Sequence, residues 1–251
     1  MIRTVRFLRV LSVCLPVLAA CHTLAHARTI EFAGREWTVR SGEGGPGPNK
    51  WSDSAESVWV DGAGLHLRVR NIEGVWHCAE VTSVLPARHG MHRFYVTGRV
   101  DLLDRNIVAS PFLYQDDSHE VDIEFSRWRR RSGSNTQYVV QPHAVPGNIR
   151  RFEMALDGEL STHCINWLPG SIEFRSFSGH SETPAAPNML IQEWVYAGGD
   201  NPPEGDGMRI HINLWLVGGL APSDGKEAEF VIKDADLPAP PESPAGEKGA
   251  N

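Results

Sequence analysis

Apolar and polar residues alternate along most of this chain at the two-residue period of a half-buried strand. Runs of this kind, or of β-branched and aromatic residues, are IEFAGREWTV, SVWVD, LHLRVR, WHCAEVTSV, HRFYVTGRVDLL, IVASPFLYQ, HEVDIEF, TQYVVQP, RFEMAL, STHCINWL, SIEFRSF, QEWVYA, MRIHINLWLV and EAEFVIKD. Glycine and proline punctuate the gaps, and long helical periodicity is absent. Asp61-Gly62-Ala63-Gly64, between two alternating runs, predicts a hairpin. The fold class that follows is all-β, with two antiparallel sheets packed as a sandwich or jelly roll. SGEGGPGPNKWSDS and AGGDNPPEGDG are too rich in Gly, Pro and Asp for regular structure and are expected to be surface loops. Residues 237–251, LPAPPESPAGEKGAN, have four prolines and little to bury, so a disordered tail is expected.

The amino terminus breaks the pattern. Arg3, Arg6 and Arg9 precede the apolar run LSVCLPVLAA, and Ala25-His26-Ala27 then offers a small-x-small cleavage site. Residues 1–27 read as an export signal and 28–236 as the folded domain, which places the protein outside the cytoplasm, secreted or periplasmic. LAAC, ending at Cys21, also resembles a bacterial lipoprotein signal, and lipidation there would anchor the chain to a membrane. Cleavage near Ala27 is preferred, because the strand pattern starts almost at once and leaves little tether. Losing residues 1–27 removes three arginines and no acid, taking the formal charge from −7 to −10. So acidic a body argues against nucleic acid as a partner. Cys78 and Cys164 survive cleavage, and they either pair in an oxidising compartment or sit as buried thiols. A monomer is expected.

HEVDIEF carries the densest chemistry. Glu120, Asp122 and Glu124 project from one strand face while Val121, Ile123 and Phe125 enter the core. An indifferent solvated face would relieve the repulsion of three acids by mixing in Lys or Thr. Retaining glycoside hydrolysis uses such a set, with two carboxyl groups roughly 5 to 5.5 Å apart, one attacking the anomeric carbon and one protonating the leaving oxygen. Four residues of strand span about 13 Å, a gap that two long Glu side chains leaning together can largely close. Asp116, Asp117 and His119 lie close by, but an extended strand spreads oxygens instead of wrapping them round an ion, so no metal and no cofactor are expected.

Glu120-Val121-Asp122-Ile123-Glu124-Phe125 resembles the active-site strand of glycoside hydrolase family 16, the lichenase and laminarinase family. WHCAEVTS with HGMHRFYVTGRVDLL, IVASPFLYQ, THCINWLPGSIEF and HINLW are similar to the family's other strands in the same order, over about residues 31 to 234. The resemblance implies a concanavalin A-like jelly roll with a concave sugar-binding cleft. It implies Glu120 as nucleophile, Glu124 as acid/base and Asp122 as the assisting carboxylate. Glu80, Phe112, Tyr114, Gln137, Asn213 and Trp215 fall where the family lines its sugar subsites, with Trp51 and Trp194 as weaker candidates. Flat aromatic faces suit pyranose rings, and amides or carboxylates suit their hydroxyls.

The chain also departs from the family. Where lichenases carry Gln-x-Asn-x-Tyr, it keeps Gln137 but offers Val139 and Gln141, and Ser161-Thr162-His163 replaces His-Thr-Tyr. Cys78 matches a family cysteine without an upstream partner for the lichenase disulfide. Arg127-Trp128-Arg129-Arg130-Arg131 reads as a solvated hairpin tip, with an anionic polysaccharide as the other reading. Family members acting on sulfated galactans usually have one more residue between the Asp and the second Glu, which counts against that substrate. The expected activity is internal cleavage of a neutral β-glucan with retention. A carbohydrate-binding protein without turnover and a transglycosylase are the alternatives.

Overall fold

Alternation becomes strand almost wherever it occurs. A computed structural model describes residues 27–198 and 207–239. In chain order the strands begin with β1 (Thr29–Phe32), β2 (Arg35–Val39), β3 (Gly42–Gly44), β4 (Asn49–Trp51), β5 (Val58–Asp61) and β6 (Gly64–Ile72). They continue with β7 (Val75–His77), β8 (Ala79–Ser83), β9 (Gly90–Thr97), β10 (Ile107–Asp116), β11 (His119–Phe125) and β12 (Thr136–Val140). The last are β13 (Ile149–Phe152), β14 (Leu160–Leu168), β15 (Ser171–Ser178), β16 (Leu190–Tyr196), β17 (Arg209–Leu216) and β18 (Ala228–Asp236). One antiparallel sheet has the order β1-β2-β8-β17-β10-β11-β12-β13, and the other β16-β15-β14-β9-β18-β6-β5, with β7 on β6.

The core lies between the two sheets. From the first sheet Val121, Ile123 and Phe125 of β11 and Ile210, Ile212 and Leu214 of β17 are fully buried, and from the second so are Phe94, Ile165, Phe230 and Ile232. Behind β11 the sheets are also tied by polar groups. Tyr138 Oη of β12 donates to Ser176 Oγ of β15 at 2.7 Å, and the His163 ring bonds Ser176 at 2.8 Å and Ser161 at 2.9 Å. Burial lowers His163 to about 3, so it stays neutral there, edge-on to Phe125 at 4.6 Å. The Ser161-Thr162-His163 departure is therefore a core feature.

Several expectations need correction. The Gly/Pro-rich stretch expected to be a loop contains the β3–β4 hairpin. Its anchor is Asn49, whose Nδ2 donates to Pro46 O at 2.7 Å and Leu216 O at 2.9 Å, while Trp51 is buried. The end of HRFYVTGRVDLL is a 3-10 turn at Val100–Leu102. RFEMAL leaves the strand after Phe152, because the Met154 and Leu156 amides donate to the side chains of Asn135 and Asp101, at 2.7 and 3.1 Å, instead of to a neighbouring strand. The expected tail begins docked: Leu237 packs on the core, and the Pro238 carbonyl accepts from Arg35. Of the two readings for Cys78 and Cys164, the structure has the buried free thiols. The export signal and Cys21, most of AGGDNPPEGDG and the tail from 240 lie outside the described residues.

The expected hairpin forms, with Asp61 opposite Gly64. Gly64 has φ +130°, and a Cβ there would overlap the Ile232 carbonyl oxygen of β18. Gly64→Ala is expected to destabilise the fold by about 2 to 4 kcal/mol, seen as a lower urea midpoint with unchanged slope.

Candidate active site

The site is built by register. In an antiparallel sheet, residues directly opposite one another share a face. Tyr114 lies opposite Glu120, Phe112 opposite Asp122 and Gln137 opposite Glu124. On β17, His211 lies opposite Phe112, Asn213 opposite Ser110 and Trp215 opposite Val108. Glu80 of β8 then lies opposite Asn213, and Arg151 of β13 opposite Gln137. The sheet thus gathers the carboxylate triplet and all six proposed sugar contacts on the face turned away from the core. That face is recessed, since Glu80, Asp122 and Asn213 are at most 5% exposed although none points into the core.

Burial governs the electrostatics. It is the foremost cause that raises Glu120 to about 7, reinforced by the charges of Asp117 and Glu80 and opposed by a hydrogen bond with Asp122. Asp122 is held well above the usual carboxylate range, first by burial, then by the charges of Glu120 and Glu124. Two carboxyl groups that hydrogen-bond need a proton between them. Their shared hydrogen bond raises Asp122 and lowers Glu120, so Asp122 is the donor that keeps the proton and Glu120 the acceptor. Glu124 is raised by burial to about 7, the Gln137 hydrogen bond and the Arg151 charge pulling it down and Glu120 pushing it up. The strand thus offers two outer carboxyls that titrate near neutrality, with a proton holder between them.

The β10–β17–β8 side forms an aromatic and polar floor. The Phe112 ring lies 4.9 Å from His211, and Tyr114 is edge-on to His211 at 5.5 Å. Tyr114 Oη donates to Asp117 Oδ1 at 3.0 Å. Burial raises Glu80, but hydrogen bonds from His211 (3.3 Å) and Arg40 (3.0 Å) outweigh it, and Glu80 is held below its ordinary value as an anion. The Asn213 carboxamide oxygen is buried without a partner on this face.

Four of these groups escaped the sequence reading. His211 was readable, because it alternates with Asn213 and Trp215 in HINLW. Arg40 and Arg151 carry no local signal, since only cross-strand register brings them to Glu80 and Gln137. Trp128 sits inside the basic run, yet it turns inward, with φ +48°, and packs edge-on against Trp215 at 5.6 Å. Only Arg129, Arg130 and Arg131 keep the exposed-tip description. Trp51 is no sugar platform, for its buried ring lies 4.0 Å beneath the Arg40 guanidinium. Trp194 belongs to the other sheet, stacked on Phe174 at 5.2 Å. Asp116 is taken by His119 at 2.8 Å at the hairpin tip.

No protein-family model and no curated protein matches the sequence. Solved structures do resemble it. A β-1,3-glucanase from Mycobacterium marinum is 19% identical over 78% of this chain and 88% of its own, with a TM-score of 0.56. The β-glucanase of Bacillus licheniformis is 18% identical over 78% and 89%, also with a TM-score of 0.56. An immunostimulatory antigen and pseudo β-1,3-glucanase of Mycobacterium tuberculosis is 20% identical over 78% and 88%, with a TM-score of 0.54. What the chain has in common with all three is their fold, the two-sheet β-jelly roll.

Proposed function

We propose that the chain is a glycoside hydrolase of family 16 that cleaves internal β-glycosidic bonds of a polysaccharide, a β-glucan before any other, with retention of configuration. The carrying observation is the gathering of Glu120, Asp122 and Glu124 on one recessed face of an interior strand, flanked by aromatic rings. Glu120 attacks the anomeric carbon while Glu124 gives its proton to the departing glycosidic oxygen, which keeps the bonding electron pair. Glu124 then takes a proton from water, whose oxygen displaces Glu120 from the sugar. Asp122 holds a proton against Glu120, and that proton stabilises the Glu120 carboxylate as it re-forms on leaving the sugar. Phe112, Tyr114, Trp215, Asn213 and Glu80 bind the sugars on the β8 side of the scissile bond, and Gln137 stands beside the acid. Both outer carboxyls lie near 7, so activity should follow a narrow bell centred close to neutral pH whose limbs belong to the coupled set.

The test is incubation with lichenan, laminarin, xyloglucan, agarose and carrageenan, with sizing of products and NMR of the first-formed anomer. Internal cleavage giving the β-anomer first is expected. No release from any polysaccharide would overturn the hydrolase reading, and an α-anomer first would overturn retention. Binding without turnover is the second reading, favoured by Val139 and Gln141 where two sugar contacts are expected and by the likeness to a pseudo-glucanase. Saturable binding of laminarin without products would establish it. Longer products on adding acceptor oligosaccharide would instead mark a transglycosylase. Export with cleavage after Ala27 completes the proposal, and the intact mass of the exported protein checks it.

A further inference from the structure

Beside Glu124 runs a short relay that ends in an arginine outside any sugar-contact set. Arg151 Nε donates to Gln137 Oε1 at 2.9 Å, and Gln137 Nε2 donates to Glu124 Oε2. The three residues lie in one row across β13, β12 and β11, so the contacts follow from register. Gln137 is 6% exposed and wedged between a cation and an acid.

An amide can present either its oxygen or its NH2 to a neighbour, and the two choices do opposite things to a carboxyl group. Arginine carries donors only, so it accepts one choice alone: the Gln137 oxygen must face Arg151, and the NH2 is left facing Glu124. An N–H pointed at Glu124 Oε2 makes that oxygen the acceptor and leaves the acid proton to Oε1. With the amide reversed, the Gln137 oxygen would accept the Glu124 proton and hold it in the cleft wall.

We infer that Arg151 is a positioning residue, fixing the orientation of the Gln137 amide so that Glu124 carries its proton on the oxygen free to meet the leaving group. The inference rests on Glu124 being the acid proposed above. It makes Arg151 matter in proportion to how much the leaving oxygen needs a proton. A glucan leaves as a poor alkoxide and needs full protonation as the C–O bond breaks; a dinitrophenolate departs with its electron pair unaided. Arg151 also adds positive charge near Glu124, so its removal should raise the pH at which the acid is lost.

The experiment compares wild type with Arg151→Met and Arg151→Lys on a β-glucan and on the matching dinitrophenyl glycoside, across pH. Arg151→Met should lose about ten-fold or more in kcat on the glucan, part of the roughly 10² to 10⁴ that a positioned acid supplies. On the dinitrophenyl glycoside it should stay within about two-fold, and on the glucan the alkaline limb should move upward. Lys, also a donor only, should restore much of the glucan rate. Equal losses on both substrates, no loss on either, or an unmoved alkaline limb would overturn the relay. NMR titration of carboxyl-labelled glutamate, with Glu124→Gln assigning the signal, separates this result from failure of the hydrolase reading. The Glu124 midpoint should rise in Arg151→Met whether or not any glycan is cleaved, and an unchanged midpoint would overturn the relay alone.

Discussion

Glu120→Ala should lower turnover by on the order of 10⁴ to 10⁶, and added azide should restore part of it as an α-glycosyl azide. Removing the nucleophile leaves a pocket on one side of the anomeric carbon, and a small anion can occupy it. Attack by azide there inverts the centre once, and no second displacement follows. Glu124→Ala should behave differently. Its loss on a glucan should be roughly 10² to 10⁴, azide should react with the glycosyl-enzyme, and the product should be the β-azide because two displacements have occurred. Asp122→Asn keeps the hydrogen bond to Glu120 but cannot yield the proton, so it should fall between wild type and Glu120→Ala. Chromatography and NMR of the azide products check the two alanine variants, and the glucan rate checks Asp122→Asn. The same azide anomer from both alanine variants would contradict the assignment of separate roles. A fully active Glu120→Ala would remove the nucleophile from the reading altogether.

The triplet was legible because the strand period alone determines which side chains share a face. Glu120, Asp122 and Glu124 alternate with Val121, Ile123 and Phe125, and the second set is fully buried. The aromatic floor was legible for the same reason within each strand, Phe112 with Tyr114 and Asn213 with Trp215. What stayed hidden lies between strands. Glu80 gains Arg40 from the segment after β2, and Gln137 gains Arg151 from β13, because sheet order puts those chains side by side. The β3–β4 hairpin was missed since local composition argued for a loop, while a tertiary anchor at Asn49 decided otherwise. Trp128 shows the opposite failure: a basic run reads as solvated, and the one residue in it that matters to the site is the apolar one.

Glu124→Gln should make the protein more stable at alkaline pH and leave it unchanged in acid. The Glu124 carboxyl moves from an ordinary 4.5 to about 7 on folding, mainly through burial. Below the ordinary value it is protonated in both folded and unfolded chains, and the whole of its contribution is present. Between there and neutrality the unfolded chain ionises while the folded one keeps its proton, so stability falls as pH rises. Above the folded value the loss is complete, about 3 kcal/mol for this group if it titrated alone. Glutamine has nothing to ionise and its oxygen can still accept the Gln137 N–H, so the variant escapes the fall. Urea unfolding should give equal stabilities at about pH 4 and a gain of roughly 2 to 3 kcal/mol for the variant at about pH 8.5. Equal gains at both pH values would point to packing and remove titration as the cause. Glu120, raised by the same amount and for the same leading reason, should give a second, overlapping loss in the wild type. Burial that keeps an acid protonated near neutrality therefore weakens the fold in the pH range where the reaction is proposed to run, and the apolar face of β11, with Val121, Ile123 and Phe125, is what offsets it.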